Sequence, residues 1–292
     1  MEAQLYRTLY RLVMSMAHPR PARVQFNDKI IVLVYLWSVL HDRPVFWACD
    51  EDNWGKEASF QLPSDSVMSV RLRTLSVAQL MERLLAALSE RFPVTLVKRV
   101  DSKPLLVGAY SKDKDAKRGR IAAGQFARGY RLNAVTHDRA VQNWELAPMN
   151  DHDAAAASKL LKGLRGGGYV VADNAYDANE LYEGAAANNH QLLAPARRVN
   201  KGVRDTKHNC AQRLRSLDML DSPLEHCGLE PQFGCALYSR RQAIESCFGE
   251  LSLMGLHYLP AWVRGPRRVA AWTAGKILLY LCRLARKQRV MT

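Results

Sequence analysis

Along the first ninety or so residues apolar side chains recur at helical spacing. Leu5, Leu9, Leu12, Val13 and Met16 share one face of a helix, Ile30 to Leu40 is an apolar segment, and Val77 to Phe92 is amphipathic. Pro19, Pro21, Pro44 and Pro63 separate these pieces, and no stretch alternates as a strand would. The pattern predicts a small helical domain over residues 1–93.

From residue 93 the period changes. Val94–Asp101 reads as a strand that ends on an acid, and Gly129–Asp138 with Ala140–Met149 reads as a hairpin closed by an Asp138-Arg139 turn. Asp151 is placed to cap a helix running to Arg165, and three glycines introduce a strand over Tyr169–Tyr176. A second helix follows from Asp177, then a short strand over His190–Arg197. The order β, β, β, α, β, α, β is that of an α/β, RNase H-like mixed sheet with flanking helices. It predicts a catalytic domain over 94–292 with two additions. One is a basic, irregular insertion at about 198–236; the other is a basic C-terminal helix from about Val269 to Lys287. Between them one continuous helix is expected from about Leu237 to Met254.

Charge narrows the choice of partner. The 292 residues carry 42 Lys and Arg against 28 Asp and Glu, a net charge of +14. Residues 1–93 are nearly neutral, with 11 basic and 10 acidic side chains, so the excess lies beyond them. It gathers in Lys112–Arg131, in Arg197–Arg215 and in Arg264–Arg289. Any one such run reads equally well as a solvated face; three around acidic motifs point to double-stranded DNA. The near-neutral helical domain then has two readings, recognition of DNA ends or dimerisation. Six scattered cysteines without a CxxC pair, no signal-peptide pattern at the N-terminus and no long apolar run predict a reduced, cytoplasmic setting, at the nucleoid when DNA is bound. No membrane partner or organic cofactor is expected. His208, Cys210, His226, Cys227 and Cys235 fit no zinc-finger or ribbon spacing.

Three acids stand out. Asp101 ends the strand Leu96–Asp101, Asp173 follows Val170, Val171 and Ala172, and Glu245 lies beside Ile244, Cys247 and Phe248. A carboxylate after an apolar strand is a weak signal alone, because strand ends are often polar. The neighbouring residues strengthen it. Val100–Pro104 (VDSKP) resembles the first-aspartate motif of bacterial insertion-sequence DDE transposases, and Ala172–Asp177 (ADNAYD) resembles their second. GYRLNAVTHD and LAPMNDHD, at Gly129–Asp138 and Leu146–Asp153, look like that family's intervening hairpin and Asn-x-His-Asp stretch. Tyr238–Ser252 is similar to the Tyr-x2-Arg-x3-Glu-x6-Lys signature of one group: Tyr238, Arg241 and Glu245 match, whereas position 252 is Ser instead of Lys.

On one continuous helix these four residues would fall within about 60° of each other. Arg241–Glu245 spacing also suits a plain surface ion pair. Asp151 and Asp177 read as helix caps, Asp113 and Asp115 as members of an exposed basic loop, and Glu250 as solvated; His152 is given no role. The resemblance implies a transposase in which Asp101, Asp173 and Glu245 hold two Mg2+ or Mn2+ ions. Tyr238 and Arg241 then bind DNA phosphate, and a homodimer holds two transposon ends. A structure-specific nuclease of the same fold and a decayed, non-catalytic DNA-binding protein are the alternatives, the latter favoured only by Ser252.

Overall fold

The computed structural model describes residues 2–19, 22, 24–57, 60–122, 124–151, 153–197, 202–221 and 233–288. The first helices are α1 (Glu2–Ser15), α2 (Asp28–Leu40), α3 (Asp65–Arg71) and α4 (Leu75–Ser89). Strands β1 (Val97–Leu106), β2 (Lys117–Ala122), β3 (Gln125–His137) and β4 (Ala140–Pro148) follow, then α5 (Asp153–Lys162), β5 (Gly168–Val171), α6 (Asn179–Ala186) and β6 (His190–Leu193). The chain closes with α7 (Ala211–Asp221), α8 (Phe233–Ser239), α9 (Gln242–Leu253) and α10 (Pro266–Lys287). Two compact units result, one of residues 1–92, 110–113 and 251–292, the other of 93–109 and 114–250.

The first unit is helical, and its membership differs from the boundary expected at 93/94. α10 packs with α1, α2 and α4. The reason lies in its sequence: Val269, Trp272, Ile277 to Leu281 and Leu284 are buried, so the helix needs apolar neighbours on most sides. Gly275 allows the close approach, since a Cβ there would stand 3.1 Å from a methyl of Val39 in α2. Lys276, buried within α10, pairs with Asp42 at 2.6 Å. Asp113, expected in an exposed loop, is buried and accepts a hydrogen bond from the Gly265 amide at 2.9 Å. Asp28, wholly buried, is held by His18, Arg71 and Ser76.

The second unit is a six-stranded mixed sheet. Its path runs β2-β3-β1-β5-β6, with β4 also on β3. β1 is antiparallel to β3, and β1, β5 and β6 are parallel. β4 takes one edge of β3 along Tyr130–His137, and β2 continues that edge along Gln125–Gly129. This is the RNase H-like order, with β2 an additional strand in a segment whose dense charge hides its alternation. Helices cover both faces. Val100, Val135, Val170, Ala172 and Leu192 pack on one side with Ala157, Leu160 and Tyr182 of α5 and α6. Val97, Val171 and Leu193 pack on the other with Met219 and Leu237 of α7 and α8.

β1 does not stop at Asp101 but continues to Leu106. Its pairing with β5 covers only Val97–Arg99, so beyond Arg99 one edge of β1 is open. An open edge is where Pro104, which cannot donate to a ladder, can be accommodated. At the other end of that pairing Gly168 has φ of 114° and lies against Leu96, whose carbonyl oxygen would be 2.2 Å from a Cβ. Only glycine suits both the conformation and the approach.

Two helical expectations change. Residues 198–236 were read as irregular, yet Ala211–Asp221 is helical. The single helix over 237–254 is instead α8 and α9, joined by a turn in which the Arg240, Arg241 and Ala243 amides each bond the carbonyl three residues back. Asp177 does not cap α6, whose cap position is Ala178. His152, His226 and Cys227 lie outside the described residues, and no helix among those described is long and apolar enough to cross a membrane.

Candidate functional site

Register alone brings the first two acids level. In the parallel β1–β5 ladder the last pair is Arg99↔Val171. Two residues further along each strand stand Asp101 and Asp173. Both carry the parity of Val97 and Val171, so both face the α8 side of the sheet. There the strands part: β1 runs on, and β5 gives way to a single helical turn, Asn174–Tyr176, capped by the Asp173 carboxylate accepting from the Ala175 amide at 2.9 Å. The carboxyl ends of neighbouring parallel strands are where α/β sheets open a cleft.

The α8–α9 turn supplies the remaining residues. Arg99, two residues before Asp101 on the same face, is buried and donates from Nε to the Arg240 carbonyl at 2.5 Å, tying this turn to β1. Arg241 then bridges two carboxylates. Its Nη1 is 3.1 Å from Asp101 Oδ2, and its Nη2 bonds Glu245 Oε1. Glu245 lies in the first turn of α9, where the exposed amides of a helix start favour negative charge. Tyr238, at the end of α8, is within hydrogen-bond reach of Arg241 and feels the charges of Asp173 and Asp101. Thus Asp101, Asp173, Glu245, Arg241 and Tyr238 are gathered in one place, although the helix that was to align the last three is broken.

Electrostatics mark Asp101 as the perturbed group. Burial, then the negative charges of Asp173 and Glu245, push its carboxyl up to about 6; the Ser102 amide and Arg241 oppose this. Burial likewise raises the Tyr238 hydroxyl, with Arg241 opposing. Sequence reasoning passed over Arg99 and Lys103, which flank Asp101 on the same face of β1 and are both buried. Basic residues alternating inside an apolar strand were the available signal.

Among the described residues no three His, Cys, Asp or Glu side chains stand close enough to hold one metal ion. The guanidinium of Arg241 lies between Asp101 and Glu245 and provides the positive charge they share. Hard carboxylate oxygens, clustered, partly desolvated and already neutralised by a cation, suit a divalent ion such as Mg2+ in donor chemistry and charge. Of the basic runs, Arg204 is paired with Asp218 and Asp221, and Arg213 with Asp177. Those two serve the fold.

An RNase H-like sheet with one aspartate on β1, a second just past the end of the adjacent β5, and a glutamate from a following helix defines the class of molecule. Residues 95–282 match the family described as Transposase DDE domain, and the chain belongs to that family. A cryo-EM structure of a piggyBac transposase synaptic complex with hairpin DNA is similar in fold, with a TM-score of 0.52 at 8% identity, covering 96% of this chain and 70% of that one. Comparison with curated proteins gives no match.

Proposed function

We propose that the chain is a DNA transposase of an insertion sequence, cutting the element's ends and joining the freed 3′-hydroxyl to target DNA. In this reading Asp101, Asp173 and Glu245 hold two Mg2+ or Mn2+ ions. The observation that carries it is the pairing of Arg241 with both Asp101 and Glu245, with the Asp173 charge acting on Asp101 beside them, in a member of the Transposase DDE domain family. When bound, divalent cations supply Lewis-acid stabilisation to the attacking and leaving oxygens of an in-line phosphoryl displacement. The chain's own groups do the rest. The Arg241 fork, freed from the carboxylates, binds a phosphate of the cut strand with two charge-assisted hydrogen bonds, and the Tyr238 hydroxyl adds a third. Burial of Asp101 keeps the surroundings poor in water, where these contacts are strongest.

Duplex DNA is the proposed partner, supported by the +14 charge and by the DNA named in the similar synaptic complex. Two copies each holding one end complete the proposal. Single substitutions Asp101→Asn, Asp173→Asn and Glu245→Gln, assayed on labelled end duplexes in Mg2+, should each abolish cleavage while circular dichroism and DNA retention persist. Near-normal cleavage by any one of them removes that residue from the site. Cleavage without strand transfer in the wild-type chain reassigns the protein as a structure-specific nuclease.

A further inference from the structure

The β2–β3 hairpin presents a surface that the acidic site does not use. Arg118 pairs with Arg128, and Arg120 with Phe126. These partners lie two residues apart on each strand, so the four side chains share one face. All four residues are exposed, Phe126 at 57%. The Arg118 guanidinium lies over the Phe126 ring, 5.7 Å from its centre. Gly119, Ala127 and Gly129 have the opposite parity. A Cβ on Gly119 would be 2.1 Å from the Met149 carbonyl oxygen, and one on Gly129 would be 2.0 Å from that of Leu105. Small residues therefore let the inner face of the ribbon close on neighbouring backbone, while Arg118, Arg120 and the Phe126 ring are turned outward and the exposed Arg128 donates to the Ala116 carbonyl at 3.4 Å. From Lys117 to Arg131 there are five basic residues and no acid.

The occupant follows from charge and size. A face of guanidinium groups suits a polyanion, and a two-stranded ribbon fits the B-DNA major groove, about 12 Å wide. Six residues of strand span about 20 Å, roughly half a helical turn of duplex. The cation–π contact with Phe126 restrains the Arg118 guanidinium, whose planar fork matches bidentate donation to guanine O6 and N7. We propose that this face enters the major groove of the element's ends, with Arg118 on Phe126 reading a guanine and Arg120 and Arg128 anchoring the ribbon beside it. The inference rests on the transposase reading and names the part of the chain that discriminates sequence.

The test uses the full chain and its variants Arg118→Lys and Phe126→Ala, both at exposed positions. Binding to an end duplex and to a scrambled duplex of equal length is measured by fluorescence anisotropy at fixed salt. Both variants should lose about ten-fold or more of the preference for the end duplex, the scale of one lost guanine contact. Affinity for the scrambled duplex should stay within about two-fold in Arg118→Lys, because the positive charge of the face is kept. Equal losses on both duplexes would mean phosphate tracking without base reading and overturn the proposal. So would an unchanged preference in variants of a wild-type chain that cuts its ends, and that result leaves the transposase reading intact. A wild-type chain that neither prefers nor cuts the ends overturns both.

Discussion

Asp177 separates what the sequence suggests from what the fold requires. As a helix cap, its loss would cost about 1 kcal/mol. The structure gives it a heavier task. Its Oδ1 accepts from Arg213 Nε at 2.6 Å and its Oδ2 from Arg213 Nη2 at 2.7 Å, while the Arg197 amide donates to Oδ2 at 2.8 Å. The Tyr182 hydroxyl lies 3.2 Å from Oδ1. The two side chains are only 2% and 11% exposed. Burial alone would raise the Asp177 carboxyl, but the Arg213 and Arg197 bonds prevail and hold it below the usual range. Asp177→Ala leaves a buried guanidinium without its anion, a loss of about 3–5 kcal/mol. At roughly 2–4 °C per kcal/mol, melting should fall by about 6–20 °C. Arg213→Met with Asp177→Asn should cost less than Asp177→Ala alone, because no charge is left unpaired. Thermal and urea unfolding of Asp177→Ala, of the double variant and of its two component single variants give the comparison. The sign with pH is fixed by the lowered carboxyl: its stabilisation is present above the ordinary value of 3.8 and is lost as pH falls through the native one, so the gap between wild type and Asp177→Ala should narrow in acid. Asp177 also closes the turn that begins at Asp173, so cleavage should drop even where the variant is folded. A cost near 1 kcal/mol, with the double variant equal to the sum of the singles, would refute the buried-pair account.

Three further outcomes are expected. Asp101→Asn in chelator should raise the melting temperature at pH 7–8, since a carboxyl pushed up to about 6 opposes folding when ionised; the gain should vanish below pH 4, and differential scanning fluorimetry across pH reads it. His137, lowered to about 4 chiefly by burial and also by Lys98, His190 and Arg99 against the opposing Asp138, must fold neutral; stability should therefore decline as pH falls from 6.5 towards 4, and His137→Gln should flatten that decline in urea titrations. Truncation after Gly265 should unfold the helical unit, seen as loss of its cooperative melting step, because α10 contributes fourteen buried residues to it.

How much of this was legible in the sequence depends on the range over which each feature is decided. The hairpin β3–β4 and the strand before Asp173 follow from local alternation and turn residues, and those readings hold. Strand β2 was hidden because its alternating positions are Arg and Gly in place of apolar and polar residues. The first strand reads from the sequence as ending at Asp101, and only the missing β5 partner beyond Arg99 explains why it continues through Pro104. Basic density is the prominent local signal at the C-terminus, whereas the Lys276–Asp42 pair and the apolar face that decides where α10 packs depend on long-range contacts.

The site shows the same division of causes. That Asp101 and Asp173 stand level depends on the parallel register Arg99↔Val171, a long-range choice made by β1 and β5 together, with Gly168 admitting the close contact. That Glu245 joins them depends on Arg99 holding the Arg240 carbonyl, so that the break between α8 and α9 turns Arg241 towards Asp101. A straight helix would have aligned Tyr238, Arg241 and Glu245 with each other, yet nothing in it would have tied them to the sheet. The break gives up that continuous stripe, and the turn it creates is anchored to β1 within two residues of the carboxylate with the most perturbed charge. Arg241 then neutralises Asp101 and Glu245 together, which lets a cluster of acids exist in the folded chain before any cation or phosphate arrives.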